Sequence, residues 1–368
     1  MNPLKELYNL GQSPWYDNIE RRFLKSGELS RLIEDFGIRG LTTNPSIFEK
    51  AISKSREYDE QIKDLASQGK NVYEIYDELT VYDVGLAADL LKGIYEKSQG
   101  WDGYVSIEVL PEYAHRVLDT LDYARRIFKR INRPNIMVKV PGTAESPEEI
   151  KTLISEGINV NVTLLFSTQH YRSIAKAYIE GLKERLKQKQ DLSGVSSVAS
   201  VFVSRVDTKV DKILEEKTTA EHRFDINNLR GCLAVANSKM IYQEFKKIFS
   251  EQNFGFLKEK GAKVQRVLWA STSTKNPAYS DIKYVQELIG KDTINTLPHE
   301  TVMAFSDHGK PRVCLEENLN QEEKRIEECR KLGIDLIDTC QQIQDAGVKA
   351  FQDSFDQVIQ AIKLKAQG

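Results

Sequence analysis

A chain of 368 residues, 40% hydrophobic and 29% charged, has the material for a substantial core, and its length admits one large domain or two ordinary ones. The formal net charge of −2, with Lys and Arg dispersed along the chain, gives no electrostatic case for a nucleic-acid partner. No apolar run approaches membrane-spanning length, and residues 1–10 mix charges with a few apolar side chains, so neither a membrane span nor a secretory signal is expected.

Short strand-like runs then recur with helical stretches between them. The first run, residues 13–19, leads into helical stretches at 19–26 and 28–36, broken at Ser26-Gly27. The second run, 38–44, precedes a long insertion, 46–103, that contains a helix at 75–97. The third run is 104–110, followed by a helix at 113–131 with apolar residues at Val117, Leu118, Leu121, Ala124 and Phe128. The remaining runs are 136–140, 159–165, 197–203, 267–271 and 293–297, with helices expected at 147–155, 169–188, 206–217 and 233–250. A second insertion spans 206–263. After the last run, 321–332 and 335–365 read as a helical tail with a weak point at Gly347. Eight strands alternating with helices favour an α/β fold of the (β/α)8 TIM-barrel type over an open doubly wound sheet, and no Gly-x-Gly-x-x-Gly follows the first run. The chain reads as a single domain, 1–368, with helical insertions and a C-terminal helical tail.

In a barrel, polar side chains at the carboxyl ends of strands face inward and form the active site. Strand alternation tests this. Lys139 shares a face with Met137, opposite Ile136, Val138 and Val140; Glu108 shares one with Ser106, opposite Val105, Ile107 and Val109. Asn161 and Thr163 oppose Val160, Val162 and Leu164, Ser200 shares a face with Val198 and Phe202, Ser271 with Trp269, and Asp17 with Trp15. Each has a plain alternative. Lys139 could snorkel or pair with a carboxylate, Asp17 could cap a helix, Asn44 before Pro45 could shape a turn, Asn161 and Thr163 could satisfy each other, and Ser200 and Ser271 could be fillers. Glu108 is harder to dismiss, because a carboxylate among strand valines needs a partner or a raised pKa. Arg205 and Lys275 follow the sixth and seventh runs, where barrel loops commonly bind phosphate; the alternative is solvated surface charge.

The four cysteines form no Cys-x-x-Cys pair and suit a reducing compartment, simplest as the cytoplasm. The five histidines lack metal-site spacing, so no metal is expected.

The segments Ser13-Pro14-Trp15-Tyr16-Asp17-Asn18, Gly40-Leu41-Thr42-Thr43-Asn44-Pro45-Ser46-Ile47-Phe48, Lys139-Val140-Pro141-Gly142-Thr143, Asn159 to Ser167 and Ala199 to Asp207 together resemble the transaldolase family, in its longer bacterial form. The resemblance implies a (β/α)8 barrel, a Schiff-base lysine at Lys139, an acid/base aspartate at Asp17, a glutamate at Glu108, and Thr163 holding a catalytic water. It also implies dihydroxyacetone contacts from Asn44 and Asn161, and phosphate contacts from Ser200 and Arg205. Ser271 aligns with the family, but the arginine usual two positions later is Ser273 here, and Lys275 is the candidate to replace its charge. Related fructose 6-phosphate aldolases carry glutamine and tyrosine where this chain has Glu108 and Phe202, which favours transfer over free aldol release. The implied partners are sugar phosphates of the non-oxidative pentose phosphate pathway, with no organic cofactor and a monomer or homodimer as the working unit. The competing readings are a fructose 6-phosphate aldolase-like lyase and a non-catalytic phosphosugar-binding barrel.

Overall fold

Eight parallel strands pair in chain order and close on themselves: β1 (Gln12–Asp17), β2 (Leu41–Thr42), β3 (Val105–Glu108), β4 (Ile136–Pro141), β5 (Val160–Leu165), β6 (Ser197–Phe202), β7 (Arg266–Ala270) and β8 (Thr293–Leu297). The computed structural model describes residues 2–218 and 223–367, so His222 lies outside the described residues. The architecture is a (β/α)8 barrel with a helical tail, as the alternation of runs implies. All eight expected runs fall on strands. The second shrinks from seven residues to two, its carboxyl end stopped by Asn44, which already caps the next helix, Pro45–Lys54.

Registry places the functional residues in one layer. Glu108 pairs with Lys139 and Lys139 with Asn161, so three neighbouring strands present polar side chains at the same height. The valines on the alternate positions of β4 and β5 are fully buried against the surrounding helices. Between Val162 and Leu165 the register of β5 slips against β6, and Leu164 takes a positive φ of 59°. This bulge breaks the alternation after Thr163 and turns Leu164 toward the barrel mouth.

At the opposite, amino-terminal end, Asp102 forms a fully buried floor. It accepts from Ser13 Oγ (2.9 Å), Trp15 Nε1 (3.3 Å), Arg39 Nε (3.0 Å) and Arg266 Nη2 (3.1 Å). Two guanidiniums on one desolvated carboxylate tie β1 and β7 to the segments that enter β2 and β3, a stabilising role typical of this face.

Two expectations need correction. Leu118 is 76% exposed; the helix Val117–Ile131 buries Leu121, Ala124, Ile127 and Ile131 instead, because that stripe repeats at three- and four-residue intervals while Leu118 lies off it. Gly347 is no weak point, since the C-terminal helix runs unbroken from Leu336 to Gln367. A Cβ at 347 would stand 3.0 Å from Leu164 Cδ2 and 3.4 Å from Arg205 Nη1, so glycine here permits close docking of this helix on the barrel mouth.

Candidate active site

The carboxyl ends of the strands open into a cavity of about 300 Å³. Lys139, Asp17, Asn44 and Thr163 line it on one side; Ser200, Phe202, Arg205, Ser271 and Lys275 line it on the other. Glu108 and Asn161 sit just behind this wall, within contact range of the residues that form it. A larger cavity of about 520 Å³ lies outside the barrel between Asp207, Asp211, Arg230 and Tyr279 and shares only Lys275 with this one. The smaller cavity is the candidate site because the layer of inward polar residues converges there.

Lys139 is 4% exposed. Its Nζ donates to the Thr43 carbonyl at 2.7 Å and stands 3.8 Å from Glu108 Oε2, longer than a hydrogen bond, and 5.9 Å from the centre of the Phe351 ring. It therefore does not snorkel, and it faces Glu108 as a buried ion pair without a direct hydrogen bond, so the carboxylate pairing expected as the plain alternative is present in part. Glu108 has no protein hydrogen-bond partner on either oxygen. Burial pushes its carboxyl up to about 7, against the opposing charge of Lys139 and with a further upward push from Asp17. Asp17 ends β1 and accepts from Thr42 Oγ1 at 2.7 Å; it caps no helix, the next one being preceded by Glu20. Burial raises its pKa, with Lys139 and then Thr42 pulling it back down.

Asn161 and Thr163 do not satisfy each other. Asn161 Nδ2 donates to Ser106 Oγ (2.9 Å) and its Oδ1 accepts from Ser200 Oγ (2.7 Å), while Thr163 Oγ1 has no protein partner. This leaves Thr163, like Glu108, with unspent hydrogen-bonding capacity beside Lys139. Asn44 uses its Oδ1 to cap the helix Pro45–Lys54 at Ile47 N (3.0 Å) and still lines the cavity.

At the far side, Arg205 opens the helix Ser204–Glu216 and places its guanidinium 5.2 Å over the Phe202 ring. Desolvation lowers its pKa, with no carboxylate offsetting the effect. Ser271, at a positive φ of 54°, bonds Ser204 through both side chain (3.0 Å) and backbone (Ser204 N to Ser271 O, 3.0 Å), which fixes this helix terminus to the end of β7. Lys275 is exposed and donates to Ser273 Oγ at 2.7 Å.

Among the lining residues that sequence reasoning missed are Thr42, Thr296, Lys50 and Phe351. Thr42 links Asp17 to Thr296 through a 2.6 Å hydroxyl contact, and it shares the face of Asn44 in the very motif that drew attention. Phe351 comes from the tail, and no local pattern marks it as part of a site.

The chain matches the family described as Transaldolase/Fructose-6-phosphate aldolase over residues 14–362. It is 43% identical to a protein named transaldolase from Trichodesmium erythraeum, over the whole of this chain and 98% of that one. It is 42% identical to a transaldolase from Thiobacillus denitrificans, over 98% of this chain and all of that one, and 40% identical to one from Saccharopolyspora erythraea, over 98% and 96%. With strand order, the buried lysine and full-length similarity in agreement, the chain belongs to the transaldolase/fructose-6-phosphate aldolase family.

Proposed function

We propose that the whole chain works as one domain that transfers a dihydroxyacetone unit from a ketose phosphate to an aldose phosphate through a Schiff base on Lys139. The observation that carries this reading is an enclosed lysine flanked by two carboxyls whose pKa values burial raises, Glu108 to about 7. The neutral amine of Lys139 attacks the ketone; Glu108, through a water held by Thr163, moves the protons that turn the carbinolamine into an imine. Asp17 takes the proton from the hydroxyl beyond the bond that breaks, and the iminium accepts the electron pair. Such an electron sink is organic and internal to the protein, so the reaction calls on no metal or other cofactor.

Asn44 and Asn161 hold the hydroxyls of the retained three-carbon unit. The bond from Ser200 fixes the Asn161 carboxamide orientation, so Ser200 can donate to a phosphate only after its hydroxyl turns away from Asn161. Arg205, the helix terminus it sits on, and Lys275 supply positive potential for the phosphate of donor and acceptor alike. The substrates on this reading are sedoheptulose 7-phosphate or fructose 6-phosphate as donor and glyceraldehyde 3-phosphate or erythrose 4-phosphate as acceptor, in the non-oxidative pentose phosphate pathway. A cytoplasmic location fits these substrates, and among the described residues no helix is long and apolar enough to cross a membrane.

Borohydride reduction in the presence of fructose 6-phosphate tests the proposal. A mass increase located on Lys139 is expected, and absence of an adduct on any lysine would overturn it.

A further inference from the structure

The C-terminal helix contributes an aromatic wall to the cavity. Gln344, Gly347, Phe351, Phe355, Val358 and Ile362 recur at intervals of three and four, which puts them on one face, and all are buried. Gln344 Nε2 donates to the carbonyls of Gly142 and Leu164, both at 2.8 Å, so this helix is fastened to the ends of β4 and β5. Gly347 lets the helix lie against Leu164, Phe355 packs edge-on to Tyr76 at 5.1 Å, and Ser354 bonds Ser46 at 2.9 Å. Between these anchors stands Phe351, 6% exposed. Its ring borders both the main cavity and a narrow apolar space beside Glu108 that Pro141, Leu164 and Val348 also enclose.

Resting on the Schiff-base reading above, we infer that Phe351 is the positioning residue that decides whether the enamine on Lys139 meets an acceptor aldehyde or is released by water. Release requires a proton on the enamine carbon, giving the iminium, and then one water added at the imine carbon. The carbon–nitrogen bond breaks, and free dihydroxyacetone and the Lys139 amine result, with no change in oxidation level. A phenyl ring can deliver neither the proton nor the water. Its face favours a nearby cation, a preference common to the iminium of both paths, so the discrimination comes from the volume the ring fills. The ring closes the helix side of the cavity 5.9 Å from Nζ, where it takes up space that water would otherwise fill.

The test uses the full chain and its Phe351→Ala, Phe351→Leu and Phe351→Tyr variants, with fructose 6-phosphate as donor. The readout is the ratio of dihydroxyacetone released without acceptor to product formed with glyceraldehyde 3-phosphate. Phe351→Ala is expected to raise this ratio about tenfold, while Phe351→Leu, which keeps apolar bulk, stays near the parent value. Phe351→Tyr conserves the ring and adds a hydroxyl, so it reports a raised ratio even if the alanine variant fails to fold. An unchanged ratio in whichever of Phe351→Ala and Phe351→Tyr folds, or an equal fall in release and transfer there, would overturn the inference while borohydride adducts on Lys139 leave the Schiff-base reading standing. Loss of the adduct in the parent chain would overturn both.

Discussion

Replacing Glu108 by glutamine separates the catalytic value of this carboxyl from its cost to the fold. Burial raises its pKa from an ordinary 4.5 to about 7, so the folded protein holds this proton to higher pH than the unfolded chain does. Stability from this group is present at low pH and is lost as pH rises through about 7. At pH 5 the carboxyl is protonated in the folded state and largely ionised when unfolded, a difference of about 1 kcal/mol; by pH 8 the penalty reaches about 3 kcal/mol. Glutamine resembles the protonated form and escapes the penalty. The variant is therefore expected to gain stability over the parent as pH rises, by about 2 kcal/mol between pH 5 and pH 8, a widening of the Tm gap by about 3 °C in a chain of this length. Glu149 and Asp207, whose buried carboxyls are also pushed up, to about 8 and about 7, titrate in both proteins and cancel in the difference. Activity moves the other way, with a fall in kcat of about a hundredfold or more through lost proton shuttling. Calorimetry at the two pH values and steady-state rates on fructose 6-phosphate with an acceptor give both numbers. A Tm gap that does not widen with pH, or a variant with unchanged kcat, would refute the account of Glu108.

Arg205→Ala is expected to raise KM for phosphorylated acceptors about tenfold or more while leaving unphosphorylated glyceraldehyde nearly unaffected, since only the phosphate loses a charge-assisted contact; steady-state kinetics with the two aldehydes measure the difference. Gly347→Ala should destabilise by about 1–2 kcal/mol despite the better helix propensity of alanine, because the new methyl meets Leu164 and Arg205 at 3.0 and 3.4 Å, and thermal melts show the sign. Asp102→Ala leaves the buried Arg266 guanidinium and the half-buried Arg39 guanidinium without their carboxylate and should cost about 3–5 kcal/mol, a Tm lower by about 5 °C, with KM for fructose 6-phosphate unchanged in the surviving folded protein.

The barrel was legible in the sequence because parallel strands buried on both sides leave short apolar runs, and an inward polar residue interrupts each run at a fixed parity. Lys139, Glu108 and Asn161 were visible for that reason, and the register places them side by side. What alternation could not supply was everything that depends on bulges and distant packing. The slip in β5 follows from Leu164 adopting a left-handed backbone, which no side-chain pattern announces. Asn44 served two readings at once, helix cap and cavity wall, and only the fold shows that both hold. Phe351 reaches Lys139 from the tail, and its helical spacing is the same one that any core-facing helix displays. Gly347 misled for a related reason: helix propensity counts a glycine as a defect, whereas contact with another segment makes its missing side chain a requirement.

The order in which the chain leaves the ribosome gives the C-terminal helix a temporal meaning. All eight strands, and with them Lys139, Glu108 and Asp17, precede Leu336, so a growing chain can assemble its reactive lysine before the segment that roofs it has been made. A product truncated ahead of that segment would carry the complete strand set with an uncovered amine. Once made, this helix completes the mouth through two carbonyls that become available only when β4 and β5 are in place.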